Sequence, residues 1–378
     1  MLDANFNRPT GLGANSTPPS PSVLVADKLR TALANHDVRS YIRRDPWPNK
    51  LARRIITMPL HVAFTALWWA LAPLALPVLV VADRLRGTPL LWTRFYLMIG
   101  LIIFGQTWGL GLLFGSWLLS GFGYNDARNN RLSMRCEGYW ADWNVRAQSW
   151  VYGITYHVEG SELLRNGPTL LLVRHTSIND TILPIGLITY PHGVRLRIVL
   201  KAELIYAAIV DAIGHRVPVA FIKRASGSSD KELAAIRLAA TNMHSEETVM
   251  IFPEGTRFTD AKRRALMEKI GDRDPLLAAR AQQLTHVLPL RLAGTNALIE
   301  AAPESDIVIC AHTGYENTEQ LKDFANGGLY RAAVRVKFWR IPAAQVPRDL
   351  DARAEFLHQE WRKVNDFVAK YRESATAN

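Results

Sequence analysis

The stretch "TLLLVRHTSINDTILPIGLI", residues 169–188, joins an apolar run to a helix-type pattern through a short polar segment. "TLLLVR" at 169–174 is typical of a strand that is buried on both faces. "NDTILPIGLI" at 179–188 predicts a helix with Pro184 early in it, where proline is tolerated best. A strand that leads through a turn into a helix is the building unit of a mainly parallel sheet.

The same alternation continues through residues 151–378. Helix-length segments such as 202–213 and 229–244 separate brief apolar runs, and a last helix is expected over about 351–372. Strands that alternate with helices indicate an α/β domain, so we predict a mainly parallel sheet flanked by helices. The predicted strands lie at 152–160, 169–174, 194–200, 217–223, 248–253, 287–292, 306–311 and 332–341.

Two long stretches without Asp, Glu, Lys or Arg, 55–82 and 95–120, lie in a predicted membrane region at 55–125. Each exceeds the roughly 20 apolar residues that a spanning helix needs. We predict two transmembrane helices before the α/β domain. A hairpin that enters one leaflet, with prolines kinking its first arm, and a pair of buried core helices remain alternatives.

Composition divides the rest of the N-terminal region. Residues 1–22 are rich in Pro, Ser, Asn and Gly and are expected to be a disordered tail, followed by an N-terminal cytoplasmic segment at 23–54. Residues 126–150 are expected to be a linker. Basic residues lie outside both apolar stretches, so the positive-inside rule predicts a cytoplasmic location for both ends and for 151–378, although three arginines in the connecting loop oppose it.

The formal net charge of +11 favours partners that carry phosphate, such as nucleic acid, anionic lipid or phosphorylated small molecules. The two cysteines, Cys136 and Cys310, match no metal-binding spacing and no disulfide framework. We therefore expect a reducing compartment.

His175 and Asp180 are the first candidate catalytic pair. Five residues on one regular helix turn through about 500°, so the two side chains meet only if His175 lies in the turn and Asp180 in the first helical turn. The imidazole would then be an oriented general base. Ser177 and Asp180 also form a capping-box pattern that needs no catalysis, and at this point both interpretations stay open.

Cationic and turn residues follow several predicted strands. "IFPEGTRFT" at 251–259 ends a strand with Glu254, Gly255, Thr256 and Arg257; Lys201 follows the third strand, and Lys223 and Arg224 end the next. Ligands of open α/β sheets bind outside the carboxyl ends of strands, so this set predicts a site for a phosphorylated substrate. A surface turn with solvated cations is the alternative for each residue taken singly.

These motifs, in this order, resemble the glycerolipid acyltransferase family of the lysophosphatidic acid acyltransferase type. "RHTSIND" is similar to its His-x4-Asp motif, and "FPEGTR" to its Pro-Glu-Gly-Thr-Arg block. "KAEL" with "VAFIKR", and "HVLPLRLAGTNAL" at 286–298, resemble the two other blocks. The resemblance covers about residues 150–320. It departs at Arg174, where asparagine is frequent, and at Lys223, a position that is often acidic.

The resemblance implies an acyltransferase domain at 151–378 in an integral membrane protein, with the bacterial inner membrane as the expected location. It implies transfer of a fatty acyl group from acyl-CoA or acyl carrier protein to the hydroxyl of a lysophospholipid, 1-acyl-glycerol 3-phosphate above all. His175 would remove the hydroxyl proton and Asp180 would fix its tautomer. Backbone N–H groups near the helix start would stabilise the oxyanion.

The same resemblance implies roles for the strand-end set. Arg224, Arg257 and Lys201 would hold the acceptor's phosphate, while Glu254, Gly255 and Thr256 would shape that pocket. It implies no metal and no cofactor beyond the acyl donor, with membrane lipids as partners and no nucleic acid. Another acceptor, such as glycerol 3-phosphate or an amino-acid lipid, remains open, as do a thioester hydrolase and a non-catalytic lipid-binding protein; the oligomeric state is left open.

Overall fold

The computed structural model describes residues 47–217, 219–222, 230–270 and 275–376. The predicted tail at 1–22, most of the segment at 23–54, and Lys223 and Arg224 lie outside the described residues. The helices are α1 Trp47–Leu85, α2 Leu91–Leu119, α3 Asp126–Tyr152, α4 Ala208–Gly214, α5 Asp230–Ala240, α6 Asp260–Ile270, α7 Pro275–Gln282, α8 Leu292–Ala301, α9 Leu321–Ala325 and α10 Leu350–Thr376.

Shorter helical pieces complete these elements. The segment predicted as a helix after "TLLLVR" is a continuous helical run in four pieces: Ile178–Thr181, Ile182–Pro184, Ile185–Thr189 and Tyr190–His192. Single 3₁₀ turns occur at Ser161–Leu164, Ala202–Tyr206 and Ala343–Gln345.

The described residues form one seven-stranded sheet in the order β1-β7-β6-β2-β5-β3-β4. β2, β3, β4, β5 and β6 run parallel to one another, whereas β7 is antiparallel to β6 and parallel to β1. The fold is therefore a mainly parallel α/β sheet, as predicted. The strands are β1 Thr155–Glu159, β2 Thr169–Val173, β3 Arg195–Lys201, β4 Val219–Ile222, β5 Glu247–Ile251, β6 Asp306–Thr313 and β7 Ala333–Ile341.

Strand β2 lies at the centre of the sheet and is buried on both faces. Leu171 and Val173 pack into one apolar cluster with residues of α2 and α3, while Leu170 and Leu172 pack into the other with α5, α8 and α10. This alternation follows from the two-residue period of a strand. Helices consequently cover both faces, and the carboxyl ends of β2, β3, β5 and β6 meet at one edge.

One predicted strand, 287–292, is wrong. This stretch runs as a loop into α8, which begins at Leu292. Its backbone N–H groups do not pair with a neighbouring strand. Arg291 N donates to Pro253 O at 2.8 Å, and Leu288 N donates to a Glu254 carboxyl oxygen at 2.7 Å. Its apolar side chains fill the core beside the turn after β5, which explains why the run resembled a buried strand.

Helices α1 and α2 contain the two apolar stretches and form a packed pair. Both are long and apolar enough to cross a membrane by length and composition, and only 11% of the most apolar window of α1 is buried in the protein. At 39 residues, α1 is about 58 Å long. The Asp83 carboxylate of α1 connects the two helices. It accepts from Trp92 N at 3.1 Å and from Thr93 N at 2.9 Å, and these hydrogen bonds satisfy two of the first amides of α2.

The segment at 126–150, expected to be a linker, instead lies within α3. Asn125 caps the helix by accepting from Arg128 N at 2.9 Å, and Gly153 ends it in the left-handed region with φ 71°. Polar residues of α3 such as Ser133, Asn144 and Gln148 are buried, and Ser133 and Asn144 lie against α2. A helix that buries polar residues lacks the apolar stripe from which it could be recognised in the sequence.

Ion pairs connect α1 to the sheet domain. Arg53 Nη2 lies 2.5 Å from Asp211 Oδ1, and Arg54 Nε lies 2.9 Å from Asp211 Oδ2. Asp211 is fully buried on α4, and His215 Nδ1 lies 3.1 Å from the same carboxylate. These contacts fix the start of α1 against the helix that precedes β4.

Candidate functional site

His175 lies in the turn directly after β2, at the carboxyl edge of the sheet. Its imidazole stacks on the ring of Phe252, which follows β5, with a centroid separation of 4.3 Å. Nδ1 lies 3.0 Å from Asp180 Oδ2, in the first turn of the following helical run. The structure thus brings together the pair predicted from "RHTSIND", in the arrangement of a turn followed by a helix.

Asp180 is fully buried, and the turn that it follows closes around its carboxylate. Oδ2 accepts from Ser177 N at 2.7 Å and from Thr176 N as well as from His175. Burial alone raises the pKa of Asp180, but His312, His175 and the Ser177 amide outweigh this and hold the pKa below its ordinary value. An ionised Asp180 accepts a hydrogen bond from Nδ1–H. The proton of the neutral ring is therefore on Nδ1, and the second nitrogen, Nε2, is unprotonated.

The capping box predicted as the alternative is present together with the pair. Ser177 Oγ accepts from Asn179 N at 3.3 Å, while the Asp180 side chain accepts from the Ser177 amide. The two interpretations of the motif therefore describe one structure, because the cap that begins the helix also places the carboxylate beside the imidazole.

Several amides around the helix start are already engaged within the protein, which leaves fewer donors for an oxyanion than expected. Thr176 N and Ser177 N donate to Asp180, and Asn179 N donates to Ser177 Oγ. His175 N donates to Glu254 Oε1 at 2.9 Å. These backbone donors instead orient side chains of the turn and of Glu254.

Glu254 supports this turn from the next strand rather than lining an open pocket. It is 2% exposed, and its two carboxyl oxygens accept from His175 N at 2.9 Å and from Leu288 N at 2.7 Å. Burial raises the pKa of Glu254 to about 8, although these two amides oppose the shift. Phe258 N donates to His175 O at 2.7 Å, so the segment 254–258 holds His175 at both its backbone N and its backbone O.

Gly255, Thr256 and Arg257 form the exposed part of this loop. Gly255 has φ +71°, and a Cβ there would lie 2.5 Å from Arg291 Cδ, so both the backbone and the neighbouring side chain require glycine. Arg257 is half-buried and donates through Nη1 to Glu319 O at 2.9 Å. No acceptor for its Nε or Nη2 is recorded among the described residues, which leaves two donors for a ligand.

Arg291 is a second cation at this loop that the sequence reasoning did not select. Its side chain packs against Gly255, and its backbone N donates to Pro253 O. The residue lies within the block "HVLPLRLAGTNAL", which provided the available signal.

Lys201, a predicted site residue, is exposed at the end of β3, where Nζ lies 3.6 Å from Glu203 Oε1. Among the described residues it has no recorded contact with His175 or the 254–257 loop.

Arg174, His312 and Glu316 form a buried layer beneath the pair, and none was selected as a site residue. Arg174 is fully buried and donates through Nη1 to Glu316 Oε1 and His312 O, both at 2.7 Å. Buried His312 places Nε2 2.9 Å from Arg174 O and 3.6 Å from Asp180 Oδ1. Burial lowers the pKa of His312, with Asp180 opposing, so its neutral ring donates Nε2–H to the Arg174 carbonyl.

This arrangement can remove a proton from a group that approaches His175 Nε2. His175 is held at its backbone N by Glu254, at its backbone O by Phe258 and at Nδ1 by Asp180. Its side chain is 11% exposed, and Nε2 has no hydrogen-bond partner among the described residues. Fold and site together define an α/β domain with a histidine–carboxylate pair at the strand ends, beside an arginine with free donors.

Comparison with known proteins finds a similar domain family. Residues 155–315 match the family model described as Acyltransferase. This match covers less than half of the chain and agrees with the resemblance of the sequence motifs. No curated protein matches the chain.

A solved structure is also similar in outline. It is the crystal structure of the 1-acyl-sn-glycerophosphate (LPA) acyltransferase PlsC from Thermotoga maritima, with 17% sequence identity and a TM-score of 0.49. The similarity covers 76% of this chain and 96% of that chain.

Proposed function

We propose that the protein is a membrane-bound O-acyltransferase that transfers a fatty acyl group from acyl-CoA or acyl carrier protein to the hydroxyl of a lysophospholipid. The proposed acceptor is 1-acyl-glycerol 3-phosphate, and the product is phosphatidic acid. The observation that carries the proposal is the 3.0 Å contact between His175 Nδ1 and Asp180 Oδ2, which leaves Nε2 as an oriented base.

In the proposed reaction, Nε2 accepts the proton of the acceptor hydroxyl as its oxygen attacks the thioester carbonyl carbon. Asp180 stabilises the resulting imidazolium across the Nδ1 contact. The carbon–sulfur bond then breaks, and the thiolate takes the proton from the imidazolium. The proposed reaction needs neither a metal nor a covalent enzyme intermediate, because the acceptor attacks directly.

The proposed acceptor site lies at the loop after β5. Arg257 has donors without a described partner and a guanidinium geometry that matches phosphate oxygens. Arg291 lies against Gly255 on the same loop and supplies a second positive charge. Lys201 and Arg224, which the sequence also assigned to the phosphate, keep that assignment only as a proposal.

We propose that α1 and α2 hold the enzyme in a membrane, with the sheet domain on the cytoplasmic side of a bacterial inner membrane. Support comes from the length and apolarity of both helices and the exposed apolar side chains of α1. A membrane location brings the enzyme to an acceptor and a product that both reside in the bilayer.

The test is an acyl-transfer assay on the purified full chain with labelled acyl-CoA or acyl carrier protein and a panel of lysophospholipids, glycerol 3-phosphate and amino-acid lipids. We expect 1-acyl-glycerol 3-phosphate to give the highest kcat/KM. Release of free fatty acid without an acceptor, at the same rate as with one, would instead identify a thioester hydrolase. His175→Ala provides the background rate.

A further inference from the structure

A small apolar cavity lies between the helical layer and the sheet, next to the candidate site. Its volume is about 60 Å³, and its walls come from α2, α3, α4, β3, β4 and the helical run after β2. Thr181, which directly follows Asp180, forms part of the wall. The cavity wall therefore includes the residue that follows Asp180 in the chain.

Glu137 of α3 lines this otherwise apolar cavity. The residue is 5% exposed, and neither carboxyl oxygen has a recorded hydrogen bond or ion pair with any described residue. Oε2 is buried without a partner. Its neighbours in the wall include Trp140, Ile198 and Ile213, none of which is placed to bond it.

A buried carboxyl group without a partner is unfavourable, because it has lost the hydrogen bonds that water would supply. Burial raises the pKa of Glu137 to about 8, so the group is mostly protonated at neutral pH and can both donate and accept a hydrogen bond. A ligand that supplies an oxygen to this acid would remove the penalty, whereas a plain alkyl chain would leave it in place.

The dimensions of the cavity limit the class of ligand. One water needs roughly 10–15 Å³ of such space, so the cavity has room for a narrow chain and not for a ring system or a headgroup. The walls are apolar except near Glu137 and Thr181. A chain of methylene groups that carries one polar oxygen matches both features.

Resting on the proposed acyl transfer, we propose that this cavity receives a fatty acyl chain and that Glu137 selects chains bearing a hydroxyl group by hydrogen bonding to it. The chain could belong to the acyl donor or to the lysolipid acceptor, since both present the same chemistry. In either case Glu137 determines chain specificity and takes no part in proton transfer at His175.

The experiment compares matched chains on the purified full-length enzyme. One arm uses tetradecanoyl-CoA and its α- and β-hydroxy counterparts with one lysolipid. The other arm keeps tetradecanoyl-CoA and places the hydroxyl on the lysolipid chain. We expect a hydroxyl in one arm to raise kcat/KM by about five- to tenfold, the value of one net hydrogen bond.

Variants test whether Glu137 is the source of that preference. Glu137→Leu should abolish it, and Glu137→Gln should keep part of it, because an amide also donates and accepts. Cys136→Ala, in the same wall, should change the kcat/KM for plain and hydroxylated chains equally.

Three outcomes overturn the inference. Equal kcat/KM for plain and hydroxylated chains in both arms of the wild-type comparison would remove it while leaving the proposed function intact. A preference for hydroxylated chains that survives in Glu137→Leu would show that Glu137 is not its source. Absence of transfer with every donor and acceptor would remove the proposed function and this inference with it.

Discussion

Asp180 Oδ2 lies 3.0 Å from His175 Nδ1, and the backbone N–H groups of Thr176 and Ser177, between the two residues, close on the same oxygen. The carboxylate therefore orients the imidazole and also holds the turn that carries it. Loss of this carboxylate should affect both catalysis and stability, whereas loss of the imidazole should affect catalysis alone.

We therefore expect Asp180→Asn and His175→Ala each to lower kcat by about 10²–10⁴-fold. Asp180→Asn should also lower the free energy of unfolding by about 1–3 kcal/mol, because a neutral amide oxygen is a weaker acceptor than a carboxylate for the backbone donors of the turn. Steady-state kinetics and chemical denaturation of both variants measure the two effects. Near-normal turnover in folded His175→Ala would contradict the proposed mechanism.

Arg257 and Lys201 provide a matched pair for the acceptor site. Arg257 lies on the loop joined to His175 through Phe258, while Lys201 is exposed near Glu203. We expect Arg257→Ala to raise the KM for a phosphorylated acceptor about tenfold or more, as for loss of a charged hydrogen bond, and to change the KM for the acyl donor little. Lys201→Ala should raise the acceptor KM by less than Arg257→Ala does, because Lys201 is exposed and its recorded partner is Glu203.

This comparison requires initial rates with acceptor and donor varied separately. If Arg257→Ala raised both KM values equally, its role in acceptor binding would be lost. If Lys201→Ala raised the acceptor KM as much, the phosphate site would extend to β3, as the strand-end pattern predicts.

Local patterns were sufficient to predict the sheet and the main pair. "TLLLVR" forms β2, and the capping-box spacing at Ser177 places Asp180 beside His175. Both depend on residues within a few positions of one another, where periodicity and capping rules apply. The contacts of Phe258 and Glu254 with His175 were not predicted; they arise because β2 and β5 are neighbours in the sheet.

The buried layer beneath the pair could not be predicted in this way. Arg174 and Glu316 are 142 positions apart, and an arginine after an apolar run looks like a solvated strand end. The pairing depends on the neighbouring positions of β2 and β6, which local sequence patterns do not specify. The run at 287–292 was misassigned for a related reason, since burial beside Glu254 produces the same apolar composition as a strand.

Glu316 should make the free energy of unfolding depend on pH. The Arg174 guanidinium outweighs the effect of burial and holds the pKa of Glu316 at about 2, below its ordinary value of 4.5. Because the folded-state pKa is depressed, the stabilisation is present above about pH 4.5 and is lost as the pH falls towards 2. The shift corresponds to about 3 kcal/mol at neutral pH.

Denaturant unfolding of the wild type and Glu316→Gln at a series of pH values measures this contribution. We expect the variant to be less stable at pH 7, by up to about 3–5 kcal/mol, because it leaves the buried Arg174 without its partner. The difference between the two proteins should shrink below pH 4.5. A difference that stays constant down to pH 2 would show that the ion pair does not set the pKa.

Asp211 offers a test of how α1 is attached to the sheet domain. Its buried carboxylate contacts Arg53, Arg54 and His215, and these partners hold the pKa of Asp211 well below its ordinary value although burial raises it. Asp211→Ala would remove the buried carboxylate that both arginine side chains contact. We expect it to lower the free energy of unfolding by about 3–5 kcal/mol.

Asp142→Ala is the matched control because Asp142 pairs with Arg146, which is 73% exposed, within one turn of α3. An exposed helical pair of this kind is worth about 0.3–0.5 kcal/mol. Denaturation in detergent micelles should therefore separate the two variants by several kcal/mol. Equal losses would mean that the Asp211 cluster is no more stabilising than a surface pair, and that apolar packing alone holds α1 against the domain.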